Sequence, residues 1–304
     1  MNKTIRIGTR DSELALWQAN TVKQKLESLG YKTELTPVKS TGDLVLDKPL
    51  YELGITGIFT KTLDVAMIKG EIDIAVHSMK DVPTKLPNGI VKAAVLKRAA
   101  HEDILVHKGD LSFLELKGLI ATGSLRRKAQ WLHKYPEHNT TDLRGNVNTR
   151  LKKLADNSWN GAIFAKAGLE RINLKPENHL VLDWMIPAPA QGAMLVVAME
   201  NDDFCQKALA NLNDKNTDVA VSVERDFLRT LEGGCTAPIG AFAEVKNNQI
   251  YFKGALFSLD GQQKIECTEI APLSEANNCG EKWAHQILEK GGHLLMKQIK
   301  EVLS

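Results

Sequence analysis

Ile72-Asp-Ile-Ala-Val-His-Ser-Met-Lys-Asp-Val-Pro83 sets the fold class. Residues 72–76 form a short apolar run suited to a buried strand, and it passes straight into a loop, His77 to Pro83, that carries reactive groups. In open α/β sheets ligands bind outside the carboxyl ends of strands, so this loop is expected to wall a site, with Lys80 and Asp81 as its candidates. Asp followed by Val-Pro is equally ordinary turn chemistry, and spacing alone does not choose between the two.

Upstream the same order of strand, loop and helix recurs. Residues 4–8 alternate like a strand and run into Thr9-Arg-Asp-Ser12. Ala15, Ala19, Val22, Leu26 and Leu29 then repeat at spacings of four and three, one apolar helical face that ends at Gly30. Residues 34–38 are the next predicted strand. From Ser40 to Phe59 the sequence is loop-like, with Pro49, Gly54 and Gly57 interrupting it, and long irregular segments in compact domains are commonly functional. A short helix is predicted over 60–69, stopped by Gly70.

Downstream, after a strand over 90–96, a second unit begins near Ala99. Leu119-Ile-Ala-Thr-Gly-Ser124 repeats the strand-to-loop pattern and opens a helix at Leu125. Ser124 is the expected N-cap, and Thr122, Gly123 and Ser124 set hydroxyls and N–H groups at the positive end of that helix, an anion cradle. Arg126 and Arg127 add two permanently charged forks suited to carboxylates, although adjacent charges on a helix equally form a solvated face. Arg144 lies in a loop, Arg150 near the start of another helix, and Arg171 just beyond Gly161 to Leu169, a buried strand followed by a turn. All five arginines fall at strand–helix junctions.

Ile186-Pro-Ala-Pro-Ala-Gln-Gly-Ala-Met194 is a stiff segment expected to cross back to the first unit, followed by a strand over 195–199. Two α/β lobes joined by crossings make a hinged cleft. A helix over 217–231, strands over 240–246, 249–257 and 263–271 with turns at Asn247-Asn248 and Asp260-Gly261, and a helix over 274–290 make a third, α+β unit. The expected domains are 1–98 with 194–214, then 99–193, then 215–304.

The 304 residues give length for two to three domains, and 43% hydrophobic with 25% charged residues is ordinary for a globular protein. Lys and Arg total 39 against 37 Asp and Glu, too even for a nucleic-acid binder, so a positive cluster points to a small anionic ligand. No apolar run is long enough to span a bilayer and no signal segment opens the chain, so a cytoplasmic location away from membranes is expected. Cys205, Cys235, Cys267 and Cys279 lack metal-ligand spacing and are expected as free thiols. The histidines are scattered, and His77, the one in a site loop, is expected to be structural rather than a metal ligand.

Leu231-Glu-Gly-Gly-Cys-Thr-Ala-Pro-Ile-Gly240 stands apart. Two glycines before Cys235 permit a turn that presents its sulfur, and Pro238 stops a helix across it. A small buried hydrophobe is the bland alternative for any lone cysteine. With these residues assembled, the chain resembles the porphobilinogen deaminase (hydroxymethylbilane synthase) family. The matching motifs are Thr9-Arg-Asp-Ser-Glu-Leu-Ala-Leu-Trp-Gln18, Ala75-Val-His-Ser-Met-Lys-Asp-Val-Pro83, Gly123-Ser-Leu-Arg-Arg127, Leu143-Arg-Gly-Asn-Val-Asn-Thr-Arg150, Ala167-Gly-Leu-Glu-Arg171 and Glu232-Gly-Gly-Cys235. They span nearly the whole chain in order.

The resemblance implies two lobes like type II periplasmic binding proteins with a C-terminal α+β domain, and a monomeric transferase of tetrapyrrole (haem) biosynthesis. It implies a dipyrromethane cofactor on Cys235 through a thioether, extended by four porphobilinogen units with loss of ammonia and released by water as hydroxymethylbilane. The catalytic carboxylate falls on Asp81. Cofactor contacts fall on Ser78, Lys80, Asp81, Thr122, Ser124, Arg126, Arg127, Arg144, Gly145 and Gln191, and substrate contacts on Arg10, Ser12, Gln18, Phe59, Arg144, Arg150 and Arg171. Three stretches depart from the family pattern: Gly54-Ile-Thr-Gly-Ile-Phe59 where Gly-x-Lys-Gly-Leu-Phe is usual, so that Thr56 replaces a lid lysine; Ala190-Gln-Gly192 where Gly-Gln-Gly is usual; and Ala121-Thr-Gly-Ser124 where Gly-Thr-Ser-Ser is usual. Two other classes stay open from the residues. A non-enzymatic two-lobed anion binder explains the arginines but not Cys235 or the third unit, and a Cys-dependent hydrolase would need a base such as His77.

Overall fold

The structure, a computed structural model, describes residues 3–38, 60–231 and 237–303. Its first part holds β1 (Ile5–Thr9), α1 (Glu13–Ser28), β2 (Thr33–Pro37), α2 (Lys61–Ile68), β3 (Ile74–Ser78) and β4 (Ile90–Val95). The second holds β5 (Asp103–His107), β6 (Leu119–Ala121), α3 (Leu125–Lys134), β7 (Asn139–Thr141), α4 (Val147–Asp156), β8 (Gly161–Ala165), α5 (Lys166–Glu170) and β9 (His179–Val181). The chain returns as β10 (Met194–Met199) and α6 (Asp203–Ala210). It ends in α7 (Lys215–Thr230), β11 (Ile239–Lys246), β12 (Gln249–Phe257), β13 (Lys264–Pro272), α8 (Ala276–Ile287) and α9 (His293–Leu303).

Two five-stranded sheets share one plan. Their orders are β2-β1-β3-β10-β4 and β7-β6-β8-β5-β9. In the first, β1 is parallel to β2 and β3 while β10 runs antiparallel to β3 and β4; in the second, β6 is parallel to β7 and β8 while β5 runs antiparallel to β8 and β9. The antiparallel strand of each sheet is the one fed by a crossing: β5 enters from β4, and β10 enters from β9. This is the type II periplasmic-binding-protein plan, and it sets the carboxyl ends of the parallel strands of both sheets against a shared cleft.

The crossings lie side by side. Ala99 N–H donates to Gly192 O at 3.1 Å, and Gly192 takes φ 86°, with a Cβ there falling 2.6 Å from Ala100 O, so only glycine fits the approach. Ala190, two residues earlier, holds φ 64° without that freedom, a conformation costing about 1–2 kcal/mol for a residue with a Cβ. What holds it is Glu224 of α7, wholly buried, which accepts from Ala190 N at 2.6 Å, from Ala243 N at 2.6 Å and from both Nη atoms of Arg98 at 2.6 and 3.1 Å. One carboxylate thus joins α7, both crossings and β11, with every lone-pair direction used, as a buried charge requires.

The third sheet, β11-β12-β13, is antiparallel, and its first turn puts Asn247 and Asn248 at φ 52° and 59°, as a two-residue hairpin demands. Helices α7 and α8 cover it. Phe227, Phe252 and Trp283 stack through its centre with ring centroids 5.1 and 4.7 Å apart, each large side chain contributing roughly 1.5–3 kcal/mol by burial.

The structure corrects several element boundaries. Strand β3 begins at Ile74 rather than Ile72, because Asp73 turns its carboxylate onto the backbone N–H and guanidinium of Arg6, at 2.8 to 3.0 Å. The C-terminal helix expected over 274–290 is α8 with the wider turn Leu288–Gly292 that follows it, and the helical path is interrupted where Gly291 takes φ 101°. Strands β5, β7 and β9 and helices α6 and α9 had no counterpart in the sequence pattern. Cys205, Cys267 and Cys279 are buried free thiols, and burial pushes the first two up to about 12 and about 11, so they are unreactive.

Candidate active site

A cavity of about 450 Å³ opens between the lobes. Arg10 and Ser12 reach it from the turn between β1 and α1, Ser78, Lys80 and Asp81 from the end of β3, and Arg127 from the first turn of α3. Arg144 and Gly145 follow β7, Arg150 sits in α4, and Arg171 follows α5. Each stands just beyond the carboxyl end of a parallel strand or at the helix that follows it. The strand-to-loop pattern of the sequence therefore converges in space.

The site is crowded with positive charge. Burial first, and then Arg127 close by, push Arg150 down to about 10 despite the offsetting Asp81; burial alone pushes Arg171 down to about 10. Lys80 falls to about 8: burial dominates and the guanidinium groups of Arg127 and Arg126 lower it further, while Asp81 and Asp103 pull it up. Cations that resist their own charge in this way are stabilised by a bound anion. Arg150 is aimed by its Nε donating to Gly145 O at 2.7 Å. Arg171 is aimed by Nη2 donating to Gly192 O at 2.7 Å and by the face of Trp17, 5.5 Å away.

Arg126 and Arg127 are only 4% and 5% exposed, which removes the solvated-face alternative. Ser124 caps α3 by accepting from Arg127 N, and Thr122 Oγ1 accepts from Ser124 N at 3.3 Å, so both hydroxyls shape the turn. Beneath the two forks lies a residue that the sequence did not single out. Asp103, fully buried at the start of β5, accepts from Arg127 Nε and Nη2 at 3.0 and 2.7 Å and from Gln191 Nε2 at 2.9 Å, and Arg126 Nη1 lies 2.8 Å from its other oxygen. Gln191 Oε1 in turn accepts from Lys80 Nζ at 3.3 Å, so the three cations and Asp103 form one unit across the hinge. The arginines hold the Asp103 carboxyl far below the usual carboxylate range, against its burial. Much of the fork of Arg127 is therefore committed inside the protein, while Arg126 keeps a buried Nε with no hydrogen-bond partner among the described residues.

Asp103→Asn is expected to destabilise the protein by about 3 kcal/mol or more, because it leaves buried guanidinium groups without their counter-charge. Urea denaturation measures this. A loss within about 0.5 kcal/mol, the range of an ordinary surface change, would show that the carboxylate does not hold the cluster. Only pairing across 23 or more residues reveals Asp103, and no local pattern carries it.

The remaining candidates stand behind the wall. Gln18 is buried and donates to Ser78 Oγ at 2.8 Å, so it buttresses a lining residue. Thr122, Ser124, Arg126 and Gln191 likewise back the cavity rather than line it. His77 is buried, and burial followed by the charge of Arg10 pushes it down to about 4, leaving a neutral ring; among the described residues no group of side chains has the make-up of a metal site. Cys235, Phe59 and Thr56 lie outside the described residues.

Two type II lobes whose strand ends gather Arg10, Lys80, Arg127, Arg144, Arg150 and Arg171, against Asp11, Glu13 and Asp81, define a two-lobed protein with a predominantly cationic cleft. Residues 5–207 match the family model described as porphobilinogen deaminase, dipyromethane cofactor binding domain, and residues 219–289 match the porphobilinogen deaminase C-terminal domain. The porphobilinogen deaminase of Syntrophotalea carbinolica is 40% identical over 301 residues, covering 97% of this chain and 96% of its own, and that of Campylobacter concisus is 39% identical over 308 residues, covering 99% of each. Among solved structures the methionine-binding protein MetQ superposes with a TM-score of 0.45 at 14% identity, covering 69% of this chain and 89% of its own. The chain belongs to the porphobilinogen deaminase family. No helix among the described residues is long and apolar enough to cross a membrane.

Proposed function

We propose that this chain joins four porphobilinogen molecules head to tail onto a dipyrromethane held by Cys235, and releases hydroxymethylbilane by hydrolysis. At each joining the aminomethyl C–N bond breaks, a C–C bond forms to the free carbon of the preceding pyrrole, that carbon gives up a proton, and ammonia leaves. The observation that carries this assignment is the ring of Arg10, Lys80, Arg127, Arg144, Arg150 and Arg171 around Asp81 in one cavity. A pyrrole substrate with an acetate and a propionate demands that ring, because each added unit brings two more carboxylates into the cleft.

The residues fit the cofactor as well. A dipyrromethane carries four carboxylates, and the described cleft offers it Lys80, the outward donors of Arg127, and Arg144, with Ser78, Thr122, Ser124, Gly145 and Gln191 shaping their setting; Arg126, assigned to the cofactor as well, stands directly behind them with its Nε unpartnered among the described residues. When bound, the cofactor supplies the pyrrole end to which the first substrate is joined. Arg10, Ser12, Arg144, Arg150 and Arg171, with Gln18 behind Ser78 and Phe59, are assigned to the incoming substrate. Asp81 is the catalytic residue. Departure of ammonia spreads positive charge onto the substrate pyrrole nitrogen, and a fixed carboxylate facing that N–H stabilises the charge and can take a pyrrole proton afterwards.

We place the domain boundaries at 1–98 with 194–214, 99–193 and 215–304, supported by the separate membership of the three sheets. A monomer in the cytoplasm is the working form, and the buried free thiols suit a reducing compartment. The test is incubation of the purified protein with porphobilinogen. Four ammonia per hydroxymethylbilane are expected, and absence of ammonia release would overturn the assignment. Lys80 loses its proton near about pH 8 when no anion is bound, so binding of porphobilinogen to the free enzyme, read as kcat/KM, should weaken as pH rises beyond 8, while the carboxylates already bound hold its charge to higher pH.

A further inference from the structure

The turn that carries Asp81 is gripped from the third domain. After β3 the backbone makes a single tight turn over Met79–Asp81, closed by Val82 N–H donating to Met79 O at 3.2 Å. The outer carbonyls of this turn point away from the cleft, towards α7. There Arg225 donates through Nη1 to Met79 O at 3.2 Å and to Val82 O at 3.0 Å, and through Nη2 to Pro83 O at 2.5 Å. On the other flank Met79 N–H donates to Ala193 O in the return crossing at 3.1 Å. Three carbonyls bracketing Lys80 and Asp81, all taken by one planar side chain from a helix some 140 positions later in sequence, is more than packing requires. A guanidinium is the one side chain with donors spread widely enough, in one rigid plane, to fix them together.

The next residue back in α7 is Glu224, which fixes Ala190, Arg98 and Ala243. Two successive residues of α7 therefore tie the third domain to the hinge crossings and to the Asp81 turn, and the same helix leads directly into the segment that holds Cys235. In sequence Cys235 follows the end of α7 by five positions, and Arg225 of the same helix touches the turn that carries Asp81.

We propose that Arg225 is a positioning residue for the reaction: by clamping the carbonyls of Met79, Val82 and Pro83 it sets where the Asp81 carboxylate stands relative to whatever is anchored after α7. It acts through backbone that it touches and not on substrate. The proposal rests on the assignment of Asp81 as the catalytic carboxylate, and the two fail separately, because the clamp is read below without turnover.

The experiment compares wild-type holoenzyme with Arg225→Met and Arg225→Lys. Arg225→Met is expected to lower kcat about tenfold to a hundredfold, the scale on which an ångström of misplacement acts, with KM for porphobilinogen within about threefold and the cofactor mass retained. Arg225→Lys keeps the cation but reaches fewer carbonyls, and should fall between. Hydrogen–deuterium exchange followed by peptide mass spectrometry should quicken in peptides over 79–82 and stay at the wild-type level in β11 and β12. Unchanged exchange over 79–82 in Arg225→Met would overturn the clamp; so would quickened exchange spread evenly over the third domain, which marks a packing role. If Arg225→Met does not fold, the same readings on Arg225→Lys decide. If the Asp81 assignment alone is wrong, exchange over 79–82 still quickens while kcat holds.

Discussion

Asp81→Asn is expected to cut turnover by about a thousandfold while leaving the fold, the anion cluster and any covalently held cofactor intact. The size follows from what the substitution removes. An amide keeps the shape of the carboxylate and can still accept a hydrogen bond from a pyrrole N–H, but it neither opposes a developing cation nor takes up a proton. Losing one preorganised electrostatic partner of a transition state costs about 10²–10³ in rate, and acid–base assistance about 10²–10⁴. Asp81 is the one carboxylate of the cavity that stands among the cations at the end of β3; Asp103 is sealed beneath the arginines and is spent on them. The substitution lies on a half-buried turn whose backbone is fixed by Arg225 and Ala193, so stability should change by no more than an ordinary surface mutation. Single-turnover kinetics with circular dichroism and intact mass would check it, and turnover within tenfold of wild type would remove Asp81 from the chemistry.

Cys235→Ser is expected to abolish turnover altogether, for a different reason. A thiolate is a strong nucleophile and forms a stable thioether, whereas a serine hydroxyl in the same place has no base assigned to activate it. Without the anchor each joined unit diffuses away. The variant should therefore fold, bind pyrrole carboxylates at the arginines and release no hydroxymethylbilane. The other three cysteines offer no substitute, being buried with Cys205 and Cys267 held firmly as thiols. Steady-state assay with porphobilinogen reads this directly, and measurable turnover by Cys235→Ser would move the anchor elsewhere.

The outline of the site was legible because its residues obey a local rule. Arg10, Lys80, Asp81, Arg127 and Arg171 each follow a strand-like run, and a sheet of parallel strands must collect such positions at one edge; Arg144 follows β7, a strand the pattern did not show. What lay beyond sequence were the partners. Asp103 meets Arg126 and Arg127 across 23 and 24 positions, Arg98 meets Glu224 across 126, and Arg225 meets Val82 across 143; no periodicity links members of such pairs. Strand β5 escaped for a related reason. It begins with a buried aspartate, and an ionised residue at the head of an apolar run reads as a surface boundary until its counter-charges are in view. The expected helix stopped at 290, just before Gly291 at φ 101° breaks the helical path, and α9, which starts again at His293, was not read. In the other direction, the departures from the family pattern at Gly123 and Ala190 did not alter the site. Gly123 leaves the N-cap of α3 intact, and Ala190 is held in its left-handed conformation by the carboxylate of Glu224.

The most direct test is the intact mass of the purified protein before and after a short exposure to porphobilinogen. The account predicts a wild-type chain heavier than its bare sequence by two linked pyrrole units, gaining further mass in steps of one pyrrole unit on exposure, with both increments absent from Cys235→Ser. A wild-type mass equal to the sequence alone, unchanged after exposure to porphobilinogen, would contradict it.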